Sequence, residues 1–411
     1  MSSQEIVAIR RIYVLTPWSQ VPGPEMQRRN GGLREHAMNR KFAALLLAGS
    51  LLVAATAVAA AAEPIRIGLN LEMTGGVAAY GQQGYEGIQV LQQMMKLEAL
   101  GRPVEFVLVD NKSDRVESAN AAQRLIQRDR VVAIIGPMIS GSMLAAGPIA
   151  EQARVPIIGP STTNPLTTQG RNFVFRACFI DPFQGQIAAR FAYEHLGIRR
   201  AALLVDVAQD YAVGLANFFT REFTRLGGQV VATQYLKTGD QDFSAQLTAI
   251  RAANPELLYM PNYYTEIALA AVQARRLGLN VPILAGDGAD APELVQIGGE
   301  AVEGLMHTGF YHVQAFSNPL AKQYLETFRK VTGKDPNAFG ALAADAVLIV
   351  LDAIERAGST DPQAIAAAMH QTRDLEVTTG TVTIQNGDAI KPVVIRKLVN
   401  GQWEYLTTVN P

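Results

Sequence analysis

Residues 131–165 read VVAIIGPMISGSMLAAGPIAEQARVPIIGPSTTNP, and this stretch decides the fold. It contains an apolar run at Val131–Ile135, a polar loop, a segment of helical period at 142–152 and a second apolar run at Val155–Ile158. Short β-branched runs that alternate with helical segments build parallel sheets with helices on both faces. The stretch therefore predicts one strand–helix–strand unit of an α/β fold.

The same alternation extends to both sides of this stretch. Further predicted strands are Ile65–Leu71, Val104–Val109, Ala201–Val205, Gln229–Tyr235, Leu257–Met260 and Pro282–Ala285. Predicted helices are Gln82–Leu97, Val116–Gln127, Gly185–His195, Val213–Leu226, Phe243–Ala252 and Glu266–Leu277. A chain of 411 residues is too long for one such sheet, so we expect two α/β domains.

Composition excludes several classes of protein. With 48% hydrophobic and 18% charged residues, the chain has enough apolar surface to fold, which excludes a disordered protein. A formal net charge of −1 argues against nucleic acid as a partner, because phosphate binding needs a basic face. The single cysteine, Cys178, excludes an internal disulfide and a cysteine-rich zinc site.

The region before residue 63 has the order of a secretory signal. Arg40 and Lys41 precede an uncharged run, Phe42–Ala62, that is first apolar and then rich in alanine. This order is typical of a signal peptide. The alternative is a membrane-spanning helix, since the uncharged run is long enough to cross a bilayer. We favour the signal peptide because the strongly apolar part is short.

A second internal methionine, Met38, stands directly before this signal. We therefore interpret residues 1–37 as a mis-assigned N-terminal extension and residues 38–62 as the signal peptide. No cysteine follows the apolar run, so a lipid anchor on cysteine is excluded. The sequence predicts a free, exported protein.

Motifs of catalysis are absent from the sequence. It contains no G-x-S-x-G elbow, no Walker A loop and no H-E-x-x-H helix, and its five histidines are scattered. Residues 286–291 fit the dinucleotide pattern G-x-G-x-x-A, but Asp287 would put a carboxylate where a pyrophosphate must lie. We expect no enzyme, no cofactor and no metal ion. A secreted hydrolase is the enzymatic alternative, although no nucleophile–base pair is visible.

Polar loops follow several predicted strands, at the edge where open α/β sheets bind ligands. The loops at 136–142 and 159–165 offer hydroxyl groups and backbone N–H groups beside a helix start, which suits an anion such as a carboxylate. Ordinary helix capping explains these residues equally well. Tyr80, Tyr211 and Tyr263 stand in other loops, where a tyrosine is often only half-buried packing.

Taken together, these motifs resemble the periplasmic binding proteins for branched-chain amino acids. The motifs that carry the resemblance are Ile65–Leu69, Thr74-Gly75, Tyr80-Gly81, the spacing from Ala119 to Leu125-Ile126, Ile134–Pro137, Ser161–Pro165, Asp210-Tyr211, Gly286-Asp287-Gly288 and Glu303-Gly304. The resemblance implies a type I fold, in which two doubly wound parallel-sheet lobes are joined by three crossings. It places residues 63–182 with 310–390 in the N-terminal lobe, and residues 183–309 with 391–411 in the C-terminal lobe.

The resemblance also implies a role for particular hydroxyl groups. Ser140, Ser161 and Thr163 match the positions that hold the ligand's α-carboxylate. Such an amino acid is a zwitterion, and it needs donors at one end and a carboxylate acceptor at the other. The matching set contains no arginine, so neutral donors and helix N-termini would bind the carboxylate.

The other end of the ligand is assigned by the same resemblance. Asp287 and Tyr263 match the positions that hold the α-ammonium, Tyr80 lies beside the side-chain pocket, and Tyr211 lies on the wall of the opposite lobe. The sequence departs from the best-known members at two positions. They carry glutamate where this chain has Asp287, and a disulfide cysteine where it has Ile139. The shorter Asp287 leaves the ligand's identity open.

We therefore expect the periplasmic substrate-binding component of an ABC importer, specific for a branched-chain or other hydrophobic amino acid. Its expected partner is an inner-membrane ABC permease, and we expect the protein to act as a monomer. The alternatives are an amide, urea or aromatic carboxylate as ligand, or a role as a ligand sensor. An aromatic acid lacks an ammonium group, so it would leave Asp287 as an unpaired buried charge.

Overall fold

The computed structural model describes residues 63–411. The predictions for residues 1–37 and for the signal peptide at 38–62 lie outside these residues. Among the helices of residues 63–411, none combines the length and the apolar character that a membrane span requires.

The first sheet is formed by the N-terminal part of the described chain. Its strands are β1 (Ile65–Leu71), β2 (Glu98–Ala99), β3 (Arg102–Asp110), β4 (Ala133–Ile135), β5 (Ile157–Gly159) and β6 (Val174–Arg176). Their spatial order is β2-β3-β1-β4-β5-β6. The short strand β2 pairs with β3 in antiparallel orientation, and the other strands are parallel. Strand order reverses on the two sides of β1, which makes the sheet doubly wound.

The second sheet repeats this order and then extends it. Its strands are β7 (Arg200–Asp206), β8 (Gln229–Leu236), β9 (Leu257–Met260), β10 (Ile283–Ala285), β11 (Met306–Gly309), β15 (Val393–Val399) and β16 (Gln402–Val409). Their spatial order is β16-β15-β11-β10-β9-β7-β8. Strands β15 and β16 are antiparallel additions to a parallel core. A small third sheet contains β12 (Leu375–Val377), β13 (Gly380–Gln385) and β14 (Asp388–Ile390).

Helices cover both sheets. They are α1 (Ala78–Met94), α2 (Arg115–Gln127), α3 (Ser140–Ala153), α4 (Asp181–Arg190), α5 (Asp210–Arg225), α6 (Ser244–Ala252), α7 (Tyr264–Arg276), α8 (Pro292–Gly298), α9 (Pro319–Thr332), α10 (Ala338–Ala357) and α11 (Pro362–His370). Short polar side chains fix several helix starts. Asp114, for example, accepts hydrogen bonds from Val116 N at 2.8 Å and Glu117 N at 2.9 Å at the start of α2.

The chain passes between the two sheets three times. It leaves the first sheet after β6, returns after β11 to add α9 and α10 against α1, and crosses again between β14 and β15. The prediction of two doubly wound, mainly parallel sheets is confirmed by this topology. The residue boundaries of the two lobes stay a prediction. Below, the N-terminal lobe means the part around the first sheet, and the C-terminal lobe the part around the second.

The sequence placed several helix starts too late. Helix α4 begins at Asp181 rather than at Gly185, and α1 begins at Ala78 rather than at Gln82. Pro182 is the second residue of α4, where a missing N–H costs nothing. The first turns of these helices carry the polar and glycine-rich residues that sequence patterns assign to loops.

Candidate functional site

The candidate site lies between the carboxyl edges of the two sheets. It is lined by Tyr80, Met138, Ile139, Ser140, Ser161, Tyr211, Tyr263, Asp287 and Phe339. These residues follow β1, β4 and β5 in the first sheet and β7, β9 and β10 in the second, apart from Phe339 on α10. Strand order reverses at these edges, and such points are where open α/β sheets bind ligands. Of the predicted site residues, all except Thr163 line this pocket.

The pocket is narrow in this structure. Its cavity measures about 10 Å³, space for the centre of roughly one water molecule. Polar contacts across the cleft hold its walls together. Tyr80 Oη donates to Gly288 O at 2.6 Å, Asn164 Nδ2 donates to Asp210 O at 2.8 Å, and Arg115 pairs with Asp210 at 2.6 Å. Entry of a ligand larger than water therefore requires the two lobes to separate.

The first sheet supplies three hydroxyl groups. Ser140 is the first residue of α3, and its Oγ accepts from Asn164 N at 3.2 Å, which leaves its proton free to donate. Ser161 Oγ donates to Met138 O at 2.7 Å, so its proton must turn away from Met138 before it can bind a ligand. Thr163 is fully buried, and its hydroxyl has no hydrogen-bond partner among residues 63–411.

A buried arginine supports the loop that carries Ser161 and Thr163. Arg176, at the end of β6, donates to Thr162 O at 2.7 Å and to Asn164 O at 3.0 Å. Its Nε lies 2.8 Å from Asp388 Oδ1. The guanidinium therefore fixes the loop from behind and does not enter the pocket.

The second sheet supplies the carboxylate of Asp287, directly after β10. Its glycine neighbours permit a close approach. A Cβ on Gly286 would lie 2.3 Å from Tyr211 Oη, and one on Gly288 would lie 2.4 Å from Asn262 O. Asp287 does not cap the next helix, because Ala291 is the N-cap of α8 and this helix start has no side-chain cap hydrogen bond.

The environment of Asp287 favours its neutral form when no cation is near. Its Oδ1 accepts a hydrogen bond from Gln184 Nε2 at 2.8 Å. Burial raises the pKa of Asp287 to about 7, although hydrogen bonds from Gln184 and Tyr211 act in the opposite direction. An arriving cation would reverse this shift, because an opposite charge stabilises the carboxylate.

Aromatic rings form the apolar wall of the pocket. Tyr80 stacks on Phe339 with ring centroids 4.3 Å apart, and its edge meets Tyr263 at 5.8 Å. Tyr211 stacks on Tyr263 at 5.4 Å and an interplanar angle of 3°. Burial raises the pKa of Tyr211 and of Tyr263 well above the usual range, so both hydroxyls stay protonated.

Sequence reasoning missed several residues that shape this site. Phe339 and Gln184 reach it from helices that lie far from the loops in sequence, and the helical pattern around them gives no sign of it. Arg176 had a weak signal, since it ends a short apolar strand, Val174–Arg176, where a buried charge needs partners.

Metal ligation has no structural support within the described residues 63–411. No group of three or more His, Cys, Asp or Glu side chains there could hold a metal ion. His307 is buried and receives a hydrogen bond from Arg396 Nε at 3.0 Å, which is a packing role.

Comparison with known proteins agrees with this architecture. A family model described as periplasmic binding protein matches residues 64–402. The chain is 30% identical over 350 residues to a leucine-, isoleucine-, valine-, threonine- and alanine-binding protein of Pseudomonas aeruginosa, which covers 84% of this chain and 91% of that protein.

Two solved structures are also similar. A leucine-binding protein of Thermotoga maritima has 50% identity and a TM-score of 0.82, with 84% of this chain and 99% of that chain covered. A branched-chain amino acid transporter substrate-binding protein of Streptococcus pneumoniae, solved in complex with isoleucine, has 31% identity and a TM-score of 0.80, with 85% and 100% covered. The resemblance predicted from the sequence is thereby confirmed. This chain belongs to the periplasmic binding protein family.

Proposed function

We propose that the protein binds a branched-chain amino acid, or another hydrophobic amino acid, in the cleft between its two sheets and delivers it to an ABC permease. The observation that carries this proposal is the polarity of the cleft. Hydroxyl donors come from the first sheet, a buried carboxylate comes from the second, and aromatic rings lie between them.

The donor end suits a carboxylate. Ser140 is at the N-terminus of α3, where backbone N–H groups and the helix dipole favour an anion. Ser161 adds a second hydroxyl from the next loop, at the pocket wall. These are neutral donors, so they bind a carboxylate without adding a buried positive charge.

The acceptor end suits an ammonium group. Asp287 is 5% exposed, and its Oδ1 accepts a hydrogen bond from a neutral amide, that of Gln184. A ligand ammonium would supply the missing counter-charge, and Tyr211 and Tyr263 would enclose it with their rings. Tyr80, Phe339 and Met138 then face the ligand's side chain, which favours an apolar one.

The cellular role rests on family membership and on the signal in the sequence. We place the protein in the periplasm, exported by residues 38–62, as a non-enzymatic monomer. Its ligand would be released to an inner-membrane ABC permease. The similar proteins from Pseudomonas aeruginosa and Streptococcus pneumoniae carry amino-acid binding in their names, which supports this choice of ligand.

A calorimetric titration of residues 63–411, unfolded and refolded to remove bound ligand, tests the proposal. Leucine, isoleucine and valine are compared with benzoate and acetamide. We expect at least one of the three amino acids to bind, and to raise the unfolding free energy by about 2.7 kcal/mol at 100 times its Kd. Binding of benzoate or acetamide without binding of any amino acid would contradict the proposal.

A further inference from the structure

A buried glutamate, Glu72, lies behind one of the two loops that supply hydroxyl groups to the cleft. It directly follows β1, it is 0% exposed, and it does not line the pocket. Its Oε2 accepts a hydrogen bond from Met138 N at 2.9 Å. Met138 belongs to the loop between β4 and α3, two residues before Ser140. Glu72 therefore holds this loop without being part of the pocket wall.

Both polar groups of the Met138 backbone are held by side chains. Its N–H donates to Glu72, and its carbonyl oxygen accepts from Ser161 Oγ at 2.7 Å. Ser161 is one hydroxyl donor of the pocket wall, and Ser140, which begins α3, is another. A row of hydrogen bonds thus runs from the buried carboxyl through Met138 to a hydroxyl that faces the ligand.

Glu72 keeps an acceptor oxygen in both of its protonation states. Burial raises the pKa of Glu72 to about 7, although hydrogen bonds from Met138 N, Asn111 and Ser142 act in the opposite direction. A neutral carboxyl still offers its carbonyl oxygen to an N–H donor. A glutamine in the same place would offer an equivalent oxygen, so the contact with Met138 depends on the acceptor and not on the charge.

The second loop of the first sheet is held in a similar way. Arg176 is also 0% exposed, and it donates to Thr162 O at 2.7 Å and to Asn164 O at 3.0 Å. Burial of an ionisable side chain is costly, and backbone groups of a loop can usually be satisfied by other backbone or by water. Both loops with candidate carboxylate donors nevertheless use such a side chain. This shared feature links Glu72 to the binding loops and not only to the stability of the fold.

We propose that Glu72 is a positioning residue for the ligand's carboxylate: it fixes Met138 and so holds Ser140 and the start of α3 in the geometry that binds an anion. The inference rests on the proposed function and adds to it a residue outside the pocket on which the affinity depends. Hydrogen bonds to a carboxylate depend on distance and direction, so a small shift of the loop weakens them. The ammonium end of the ligand lies against the second sheet and should not be affected.

Two variants separate the acceptor from the charge. Glu72→Met removes the acceptor, and Glu72→Gln keeps it. Calorimetry measures leucine binding, and thermal shift at high concentration measures binding of 3-methylbutan-1-amine, which is leucine without its carboxylate. We expect Glu72→Met to weaken leucine binding about 10- to 100-fold, as loss of hydrogen bonds to a charged group does. The stabilisation by the amine should change less than about twofold, and Glu72→Gln should bind leucine within about threefold of the wild type.

Glu266→Met is the matched control. Glu266 on α7 is 6% exposed, burial raises its pKa, and its Oε1 accepts from Gly239 N at 3.2 Å. It therefore holds a loop by the same contact, but the loop around Gly239 contributes no residue to the pocket. Its leucine Kd should equal that of the wild type. Equal losses for leucine and the amine in Glu72→Met, or an equal leucine loss in Glu72→Gln, would overturn the positioning role.

A double-mutant cycle tests whether Glu72 acts through the loop that carries Ser140. Ser140→Ala removes a hydroxyl that we assign to the ligand's carboxylate. Combined with Glu72→Met, it should weaken leucine binding by at most about twofold more than the more damaging single variant, because both changes remove the same contact. Additive losses would mean that Glu72 does not act through this loop, and would overturn the proposal.

Hydrogen exchange in the wild type gives a measurement that holds even if Glu72→Met does not fold. Exchange of the Met138 amide is followed with leucine and with the amine, at concentrations that give the same thermal stabilisation. We expect leucine to slow the exchange more, because by linkage a bound carboxylate favours the loop geometry that Glu72 holds. Equal slowing would overturn the proposal. If the wild type binds no amino acid, the proposed function fails as well; if it binds leucine and Glu72→Met binds it equally well, only the positioning role fails.

Discussion

Two buried aspartates of the described residues, Asp345 and Asp287, have opposite surroundings. Asp345 on α10 is 0% exposed and fully satisfied: it accepts from Thr378 N at 2.7 Å and from the Thr379 hydroxyl at 2.5 Å, and it pairs with Lys391 Nζ at 3.1 Å. In the cleft, Asp287 is 5% exposed and accepts a hydrogen bond from a neutral amide, that of Gln184, at 2.8 Å. The first carboxylate therefore has a buried cation beside it, whereas the second has no ion-pair partner among the described residues.

The difference agrees with a structural role for Asp345 and with the ligand-binding role proposed for Asp287. Lys391 lies just after β14, where the chain crosses to the C-terminal lobe, so its pair with Asp345 ties that crossing to α10. Burial lowers the pKa of Lys391, while the charge of Asp345 acts in the opposite direction and keeps the ion pair together. In the cleft, burial without a neighbouring cation instead raises the pKa of Asp287 to about 7 and so favours its neutral form.

The largest effect is expected when the buried pair of Asp345 and Lys391 is broken. Asp345→Asn leaves Lys391 buried without a counter-charge, and removal of one partner of a buried ion pair destabilises a protein by about 3–5 kcal/mol. Urea denaturation of the ligand-free protein measures the loss. The leucine Kd of the fraction that remains folded should not change, because neither residue lines the cleft.

Asp352→Asn on the same helix is the matched control. Asp352 pairs with Arg356 one turn later, with side chains 27% and 34% exposed. Such a pair contributes at most about 1 kcal/mol. If both variants lose the same stability, the contrast between Asp345 and Asp287 does not hold.

The opposite pattern is expected in the cleft. Asp287→Asn should weaken binding of leucine by about 2–5 kcal/mol, or roughly 30- to several-thousand-fold in Kd. The ligand-free protein should remain as stable as the wild type or become more stable. Burial raises the pKa of Asp287 to about 7, so this carboxyl lowers wild-type stability as the pH rises from about 4 through 7, and the variant lacks that penalty.

Calorimetry gives the affinity, and urea denaturation at pH 5 and pH 8 gives the stability. The unfolding free energy of Asp287→Asn relative to that of the wild type should increase between pH 5 and pH 8. An unchanged Kd for leucine would remove the ammonium role of Asp287 and, with it, the main reason for preferring amino acids to neutral amides or aromatic acids.

Burial also decides which strands could be predicted from the sequence. Apolar runs such as Ile65–Leu71 and Leu257–Met260 were placed to the residue, because strands buried on both faces leave a continuous apolar signal. The later strands β12 to β16 were not predicted individually. Strands β12, β13 and β16 are partly exposed and carry polar residues between their apolar ones, and Arg396 and Lys397 interrupt the apolar run of the largely buried β15.

The candidate site was predicted unevenly for a related reason. Ser140, Ser161 and Asp287 follow predicted strands, so local order along the chain points to one sheet edge. Gln184 lies on a helix whose first turn was assigned to a loop, and nothing local shows that it contacts Asp287, which is 103 residues away in the sequence. Such pairs are set by the tertiary fold.

The smallest effect is expected at the mouth of the cleft, where the two lobes meet through an exposed pair. Arg115 Nη2 lies 2.6 Å from Asp210 Oδ2 and donates to Ala208 O at 3.1 Å, with the Arg115 side chain 47% exposed. This pair joins the two lobes, so we expect Arg115→Ala to favour their separation. An exposed pair contributes at most about 1 kcal/mol, which corresponds to about fivefold weaker leucine binding. Most of the change should be in the dissociation rate.

Stopped-flow measurement of the leucine dissociation rate at low and high salt tests this expectation. Salt screens an exposed ion pair, so at high salt the rate of the wild type should approach that of Arg115→Ala. Arg66→Ala is the control, since Arg66 pairs with Glu105 at 3.3 Å on the surface of the first sheet, with similar exposure and no contact across the cleft. It should leave both rates unchanged. If Arg115→Ala weakened leucine binding a hundredfold or more, lobe closure would depend on the Arg115–Asp210 pair. Asp287 would then contribute less to the affinity than we propose.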